Sequence, residues 1–428
     1  MNKFLPLLLG MLLGTLPVHA QDLVVRGGKI FTGTADQTVS NPGIYVRNGR
    51  IMSVGDVPGE LPSSVQTLQL SEEEVLLPGL VDLHAHYRVV MEGMVGDDTA
   101  ATPKIFLANG VTATFPAGEV EPEKMRELSR LLDAGERDGP RLLNSGPYYG
   151  SAAPDWSREM DEAAIRERVD TWAARGAAGF KAKGITAPHL EALIERAHRH
   201  GLTVTAHLGS GSGSSVNPAD AVRMGIDRVE HFLGGPCLPA SASAYASLRG
   251  LEGDEACVGE VIDLYTRHGV WFDATLSTYG IIGRVDHPAY RHWTDELRFM
   301  TPYMRESFES DPDHSLEDLF REVYHAKKAI LKRYWEAGGR ITLGTDRPVM
   351  KSTLPFLGGF AAHREMQAMT LAGIPGHEVL RIATTNGARA IGMRLTAWAP
   401  SKRANTPTFL WLAGIPSRIS PIPATCVR

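Results

Sequence analysis

The chain has 428 residues, 43% of them hydrophobic and 22% charged, with a formal net charge of −5. That balance excludes a disordered or fibrous protein, and the length predicts more than one domain. No long basic block offsets the mild acidity, so nucleic acid is not an expected partner. Three cysteines are too few for a disulfide scaffold or a structural zinc ribbon.

Residues 1–20 read as an export signal. Lys3 supplies a positive start, an apolar run extends from Leu5 to Leu16, and Val18, His19 and Ala20 form a small-residue cleavage site before Gln21. The run falls short of the ~20 residues that span a bilayer. An exported protein, periplasmic or secreted, is therefore expected, with no membrane attachment after cleavage. Export leaves two readings of Cys237 and Cys257 open, a disulfide or two free thiols.

Residues 21–78 carry three β-type segments, DLVVRGGKIFTG, GIYVRNGRIMSVG and SVQTLQL, punctuated by glycine and proline. From 79 to 394 short apolar runs alternate with amphipathic stretches, which predicts parallel β/α units. Strands are expected near 80–84, 111–115, 141–145, 179–183, 203–207, 228–231, 270–274 and 340–346. The clearest helical periodicities cover 122–136 and 188–200. Eight such units predict an α/β fold of the (β/α)8, TIM-like barrel type. A doubly wound open sheet is the alternative, weakened because no G-x-G-x-x-G follows a strand. Two long connections, 232–269 and 277–339, are the expected pocket builders.

The C-terminal strand ends carry the chemistry in such a barrel. The first expected strand ends in His84 and His86, two apart and so on one face. The fourth carries Lys181, with Lys183 as competitor. The fifth ends in His207, the sixth in His231 and the eighth in Asp346. Singly, each has an ordinary reading: a buried ring bonded to a carbonyl, a lysine reaching solvent, a turn aspartate. Jointly they fall at one rim, where structural histidines have no reason to gather, and they predict a metal site. Tyr87, Arg88 and Arg347 flank it. They are expected either to recognise a substrate carboxylate or to pair with carboxylates of the barrel.

These motifs resemble the amidohydrolase superfamily. LPGLVDLHAH, GAAGFKAKG, TVTAHLG, GIDRVEH and LGTD follow its strand motifs in order, and HREMQAM and TTNGARAIGM resemble its closing helices. Within it the chain is similar to the imidazolonepropionase-like and Xaa-Pro dipeptidase-like branch. The resemblance implies two divalent ions, zinc by preference: one held by His84, His86 and Asp346, the other by His207 and His231. Lys181 would bridge them as a carbamate formed from CO2. It also implies hydrolysis by metal-activated hydroxide, with Asp346 as the catalytic proton carrier. The deaminase branch places a glutamate soon after the fifth-strand histidine; Leu208, Gly209 and Ser210 follow here. The expected substrate is a small amide, an N-acyl amino acid or an Xaa-Pro-type dipeptide. An exported non-catalytic binding protein and a lactone or ester hydrolase are the alternatives, and a homo-oligomer stays open.

The family's small β-sandwich domain is built from both chain ends, here 21–78 and 395–428. APSKRANTPTFLWLAG fits its returning segment through Gly414, but IPSRISPIPATCVR does not. With suitably chosen codons, one base inserted before Ile415 restores a family-like NPLEDIPDTGDVRP. A truncated or frame-shifted tail after 414 is therefore expected, leaving a sheet edge bare.

Overall fold

The structure is a computed structural model that describes residues 22–33, 39–40, 43–47, 50–55, 57–91, 94–97, 99–209, 215–239, 243–285, 294–299, 302, 315–347, 357–392 and 409–413. The export segment and the tail after 413 lie outside the described residues.

The first five strands are β1 (Leu23–Ile30), β2 (Val39–Ser40), β3 (Gly43–Arg47), β4 (Arg50–Gly55) and β5 (Gln66–Pro78). β1 lies antiparallel to β3 and parallel to β5. Val25, Ile44, Val46, Leu70 and Leu76 pack together on this sheet.

From Leu80 the chain becomes a series of parallel strands. β6 (Leu80–Ala85) is followed by a hairpin that periodicity did not signal, β7 (Arg88–Met91) with β8 (Met94–Asp97). Then come β9 (Val111–Pro116), β10 (Arg141–Leu142), β11 (Tyr148–Tyr149), β12 (Gly179–Lys183), β13 (Thr203–His207), β14 (Arg228–Glu230), β15 (Trp271–Asp273) and β16 (Arg340–Thr342). Strand occurs at all eight expected positions. The third is split into β10 and β11 because the Gly146 amide bonds the Asn144 side chain and Gly146 takes φ +61°, which turns the backbone.

β6, β9 and β10 form one parallel sheet, and β11 to β16 form another in unbroken chain order. A doubly wound sheet would reverse its order at a switch point; this one does not. The Ala178 amide bonds the Asn144 carbonyl at 2.7 Å, linking the third position to the fourth. The Leu83 amide bonds the Leu343 carbonyl, and the Asp346 amide the His84 carbonyl, each at 2.9 Å, which sets the last strand beside the first. β6 and β9 are buried along their whole length, as parallel strands covered on both faces must be.

Between the strands lie amphipathic helices. Pro122–Asp133 starts on a proline and buries Met125, Leu128 and Leu132 at helical spacing. It stops three residues short of the expected end, where Gly135 takes φ +69°. Glu162–Ala174 is capped by Asp161, which accepts from the Ala164 amide at 2.7 Å. β17 (Phe409–Ala413) then returns and pairs antiparallel with β5. Among the described residues the two chain ends thus build one six-stranded sheet.

Cys237 and Cys257 are joined, with Cα atoms 5.6 Å apart. The bond ties the loop after β14 to the helix Glu255–His268. Closing a loop of this size contributes about 3 kcal/mol by restricting the unfolded chain. A Cys237→Ser/Cys257→Ser variant is expected to lose about that much in urea titration. An unchanged midpoint and slope would mean that the bond does not constrain the unfolded state.

Candidate active site

Three of the six expected ligands meet at hydrogen-bonding distance, and a fourth lies just beyond it. His84 Nε2 lies 3.2 Å and His86 Nε2 3.1 Å from the same Asp346 oxygen, while His231 Nε2 lies 3.7 Å from the other. The His207 and His231 rings are 4.5 Å apart, and His231 is 5.0 Å from His84. Lys181 is buried on β12 and meets Glu230 rather than a histidine. Among the described residues two groups could hold a metal ion: His84, His86 and Asp346, and His84, Glu230 and His231.

The backbone is shaped to bring these side chains together. Asp346 takes φ +41° and His231 φ +67°, conformations rare for residues with a Cβ. Asp346 is pinned from both sides: its amide bonds the His84 carbonyl, and Thr278 Oγ1 donates to its carbonyl at 2.7 Å. Asp82, buried one pleat before His84, accepts from Thr345 Oγ1 at 2.7 Å, from the Thr345 amide at 3.2 Å and from the His84 amide at 3.0 Å. It locks the first and last strands in register. His231 Nδ1 shares a hydrogen with Thr275 Oγ1 at 2.7 Å, and His84 Nδ1 lies 3.0 Å from Asp273. These contacts orient the rings so that Nε2 faces the site, the arrangement that metal-binding imidazoles use. A Cβ at residue 344 would come 2.1 Å from the Asp273 carboxylate, so only glycine lets Asp273 reach His84.

Burial sets the protonation states. It pushes His86 down to about 4 and holds His207 and His231 well below the usual histidine range, so the rings are neutral at pH 7 with lone pairs free to donate. Burial likewise drives Lys181 well below the lysine range, toward the neutral amine. For Asp346 burial opposes ionisation, but the His84 ring and the hydrogen bonds from His84 and His86 outweigh it. Its carboxyl stays ionised. Nε2 of His207 and of His231 are buried and have no hydrogen-bond partner among the described residues. A buried polar atom left this way costs stability unless something fills the gap.

The site opens into a cavity of about 600 Å³, the size that takes a small molecule. His84, His86, Lys181, His207 and Asp346 line its floor, and Lys183, Tyr148, Tyr245, Tyr279, Phe320 and Arg347 are among its walls. The three expected substrate contacts divide. Arg347 lines the cavity but is buried, bonds Thr102 at 3.3 Å and acts on buried Glu296. Tyr87 does not reach the cavity: its hydroxyl lies 2.8 Å from Thr114 Oγ1 and its ring packs on Phe106, so its place is in the core. The side chain of Arg88 lies outside the described residues. Sequence reasoning missed Glu230, Asp273 and Asp82. Asp82 and Asp273 are acids in strands whose other residues are mostly apolar, and that was the available signal; Glu230 shares a three-residue strand with Arg228 and offered none.

The description "Amidohydrolase family" fits residues 75–409. Solved structures with the same fold include a Xaa-Pro dipeptidase with methionine bound in its active site, at 16% identity and a TM-score of 0.64, covering 92% of this chain and 94% of that one. An ochratoxinase of A. niger has 18% identity and a TM-score of 0.60, over 87% and 85%. A bottromycin amidohydrolase has 19% identity and a TM-score of 0.61, over 88% and 80%. The family match spans most of the chain and contains every strand-end residue described above, so this chain belongs to the amidohydrolase family, hydrolytic enzymes acting on carbon–nitrogen bonds.

Proposed function

We propose that this protein is an exported enzyme that cleaves an amide bond of a small substrate, an N-acyl amino acid or an Xaa-Pro-type dipeptide. Its eight parallel strands form a (β/α)8 barrel, and two divalent ions sit at the rim. One observation carries the reading: the partnerless, buried Nε2 atoms of His207 and His231 stand beside the His84, His86 and Asp346 group. That donor set fits metal. Imidazole and carboxylate suit zinc, with manganese, cobalt or iron as substitutes. The hydrogen bonds linking β16 to β6 support barrel closure. The Cys237–Cys257 bond supports an oxidising compartment, as does the Xaa-Pro dipeptidase likeness the dipeptide class.

Bound ions would acidify a water and polarise the scissile carbonyl. The chain's own groups do the rest. His84, His86 and Asp346 would hold one ion, and His207 and His231 the other. The neutral Lys181 amine would add CO2 and release a proton, giving an anionic carbamate that would supply oxygen ligands to the ions. Asp346, ionised and facing the cavity, takes a proton from the attacking water and passes it to the leaving nitrogen.

Paired amides and esters, assayed with and without a chelator, test this. Hydrolysis of N-acyl amino acids or dipeptides, lost on chelation and restored by zinc, is expected. Turnover of esters or lactones alone would make the protein an esterase on the same site. Binding of amides without turnover of either class would make it a binding protein.

A further inference from the structure

Lys181 and Lys183 lie two apart on β12 and so leave the strand on one face. Their surroundings differ. Lys181 is at the buried floor against Glu230. Lys183 is half-buried, stands in register with His207 and lines the cavity wall. Its backbone is held closely from behind. The Ser151 amide bonds the Gly184 carbonyl at 3.0 Å, and Gly150, at φ +120°, packs so near that a Cβ there would lie 2.2 Å from the Lys183 carbonyl oxygen. The Lys183 backbone is therefore a fixed part of the wall.

Among the described residues the Lys183 side chain has no ion pair and no hydrogen bond. Its charge acts instead on Lys181 and His207, disfavouring the protonated form of both. The Lys183 ammonium thus stands at the wall beside the Asp346 floor, available to an incoming anion. The opposite wall is of another kind. Tyr279 stacks on Phe320 with ring centroids 5.4 Å apart, Tyr245 lies 5.3 Å from Phe320, and Ile282 and Leu319 complete an apolar surface. The cavity is thus polarised, with a lone cation on the β11–β12 side, an apolar wall opposite, and the histidines and Asp346 between.

We propose that Lys183 is the residue that recognises a carboxylate of the substrate. The substrate then carries a carboxylate at one end and an apolar or aromatic group at the other, with the scissile amide between them over the His84, His86, His207 and Asp346 floor. This rests on the amide-hydrolase reading above and adds the contact that selects among amides. The β12 ammonium binds the carboxylate through a charge-assisted hydrogen bond, and the Tyr279 and Phe320 wall takes the apolar end. Lys183 is a binding residue and takes no part in proton transfer.

The test uses zinc-loaded protein and two probes differing only in charge, N-benzoylglycine and N-benzoylglycinamide. Equilibrium binding, benzoate release and metal content are measured for the wild type, Lys183→Met and Lys183→Arg. Wild type is expected to bind the acid about 10- to 100-fold more tightly than the amide, the range a charge-assisted bond gives. Lys183→Met should erase that preference while leaving amide binding and metal content unchanged, and Lys183→Arg should restore most of it. Equal weakening of both probes, a changed metal content, or a wild type without preference would overturn the proposal. A preference for the acid that depends on Lys183, with no benzoate released, would uphold Lys183 and overturn the hydrolase reading instead.

Discussion

Asp346→Asn is expected to lower kcat on an amide substrate by about 10³-fold while KM changes only a few-fold, because general acid–base groups contribute about 10² to 10⁴ to rate. Asparagine keeps the size and one oxygen, so the pinned backbone and the contacts to His84 and His86 can persist. What it cannot do is accept and return a proton. The role requires an ionised carboxylate at the cavity, and Asp346 is one: it retains 26% side-chain exposure, and its contacts with His84 and His86 hold its acidity. The effect should therefore appear in turnover rather than in substrate affinity. Steady-state kinetics on metal-saturated protein decide it. A variant within ten-fold of wild type in kcat would remove Asp346 from the proton path.

Lys181→Met is expected to abolish measurable turnover without unfolding the protein. Methionine matches the buried aliphatic stem, so packing on β12 is kept, but no amine remains to take up CO2. Glu230 would lose its contact with Lys181 and keep the 2.8 Å hydrogen bond from Thr205 Oγ1. Thermal unfolding by circular dichroism separates loss of chemistry from loss of fold. A folded variant with turnover near wild type would mean that the lysine is structural.

The strand positions and the meeting of His84, His86, His231 and Asp346 were legible because burial imposes apolar runs on parallel strands, and because these side chains stand at or just beyond their ends. Glu230 was not, and the reason is geometric. Strict alternation puts Glu230 and His231 on opposite faces, so choosing His231 as inward expels its neighbour. The φ of +67° at His231 breaks the alternation and aims both at His84. Asp273 was hidden for another reason: its place depends on Gly344, in the segment just after β16, a close approach that no local pattern encodes. Tyr87 shows the converse. Standing next to His86 in sequence suggested the cavity, but Tyr87 lies in the bend between β6 and β7, and its hydroxyl meets Thr114 in the core. The split third strand turns on Gly146, whose φ the sequence does not display.

The central claim is that these strand ends hold two metal ions joined through Lys181. Elemental analysis of purified wild type beside Lys181→Met tests it most directly. The account predicts about two divalent ions per wild-type chain and a clear loss in the variant. One ion or none in the wild type, or a content that Lys181→Met leaves unchanged, would contradict it.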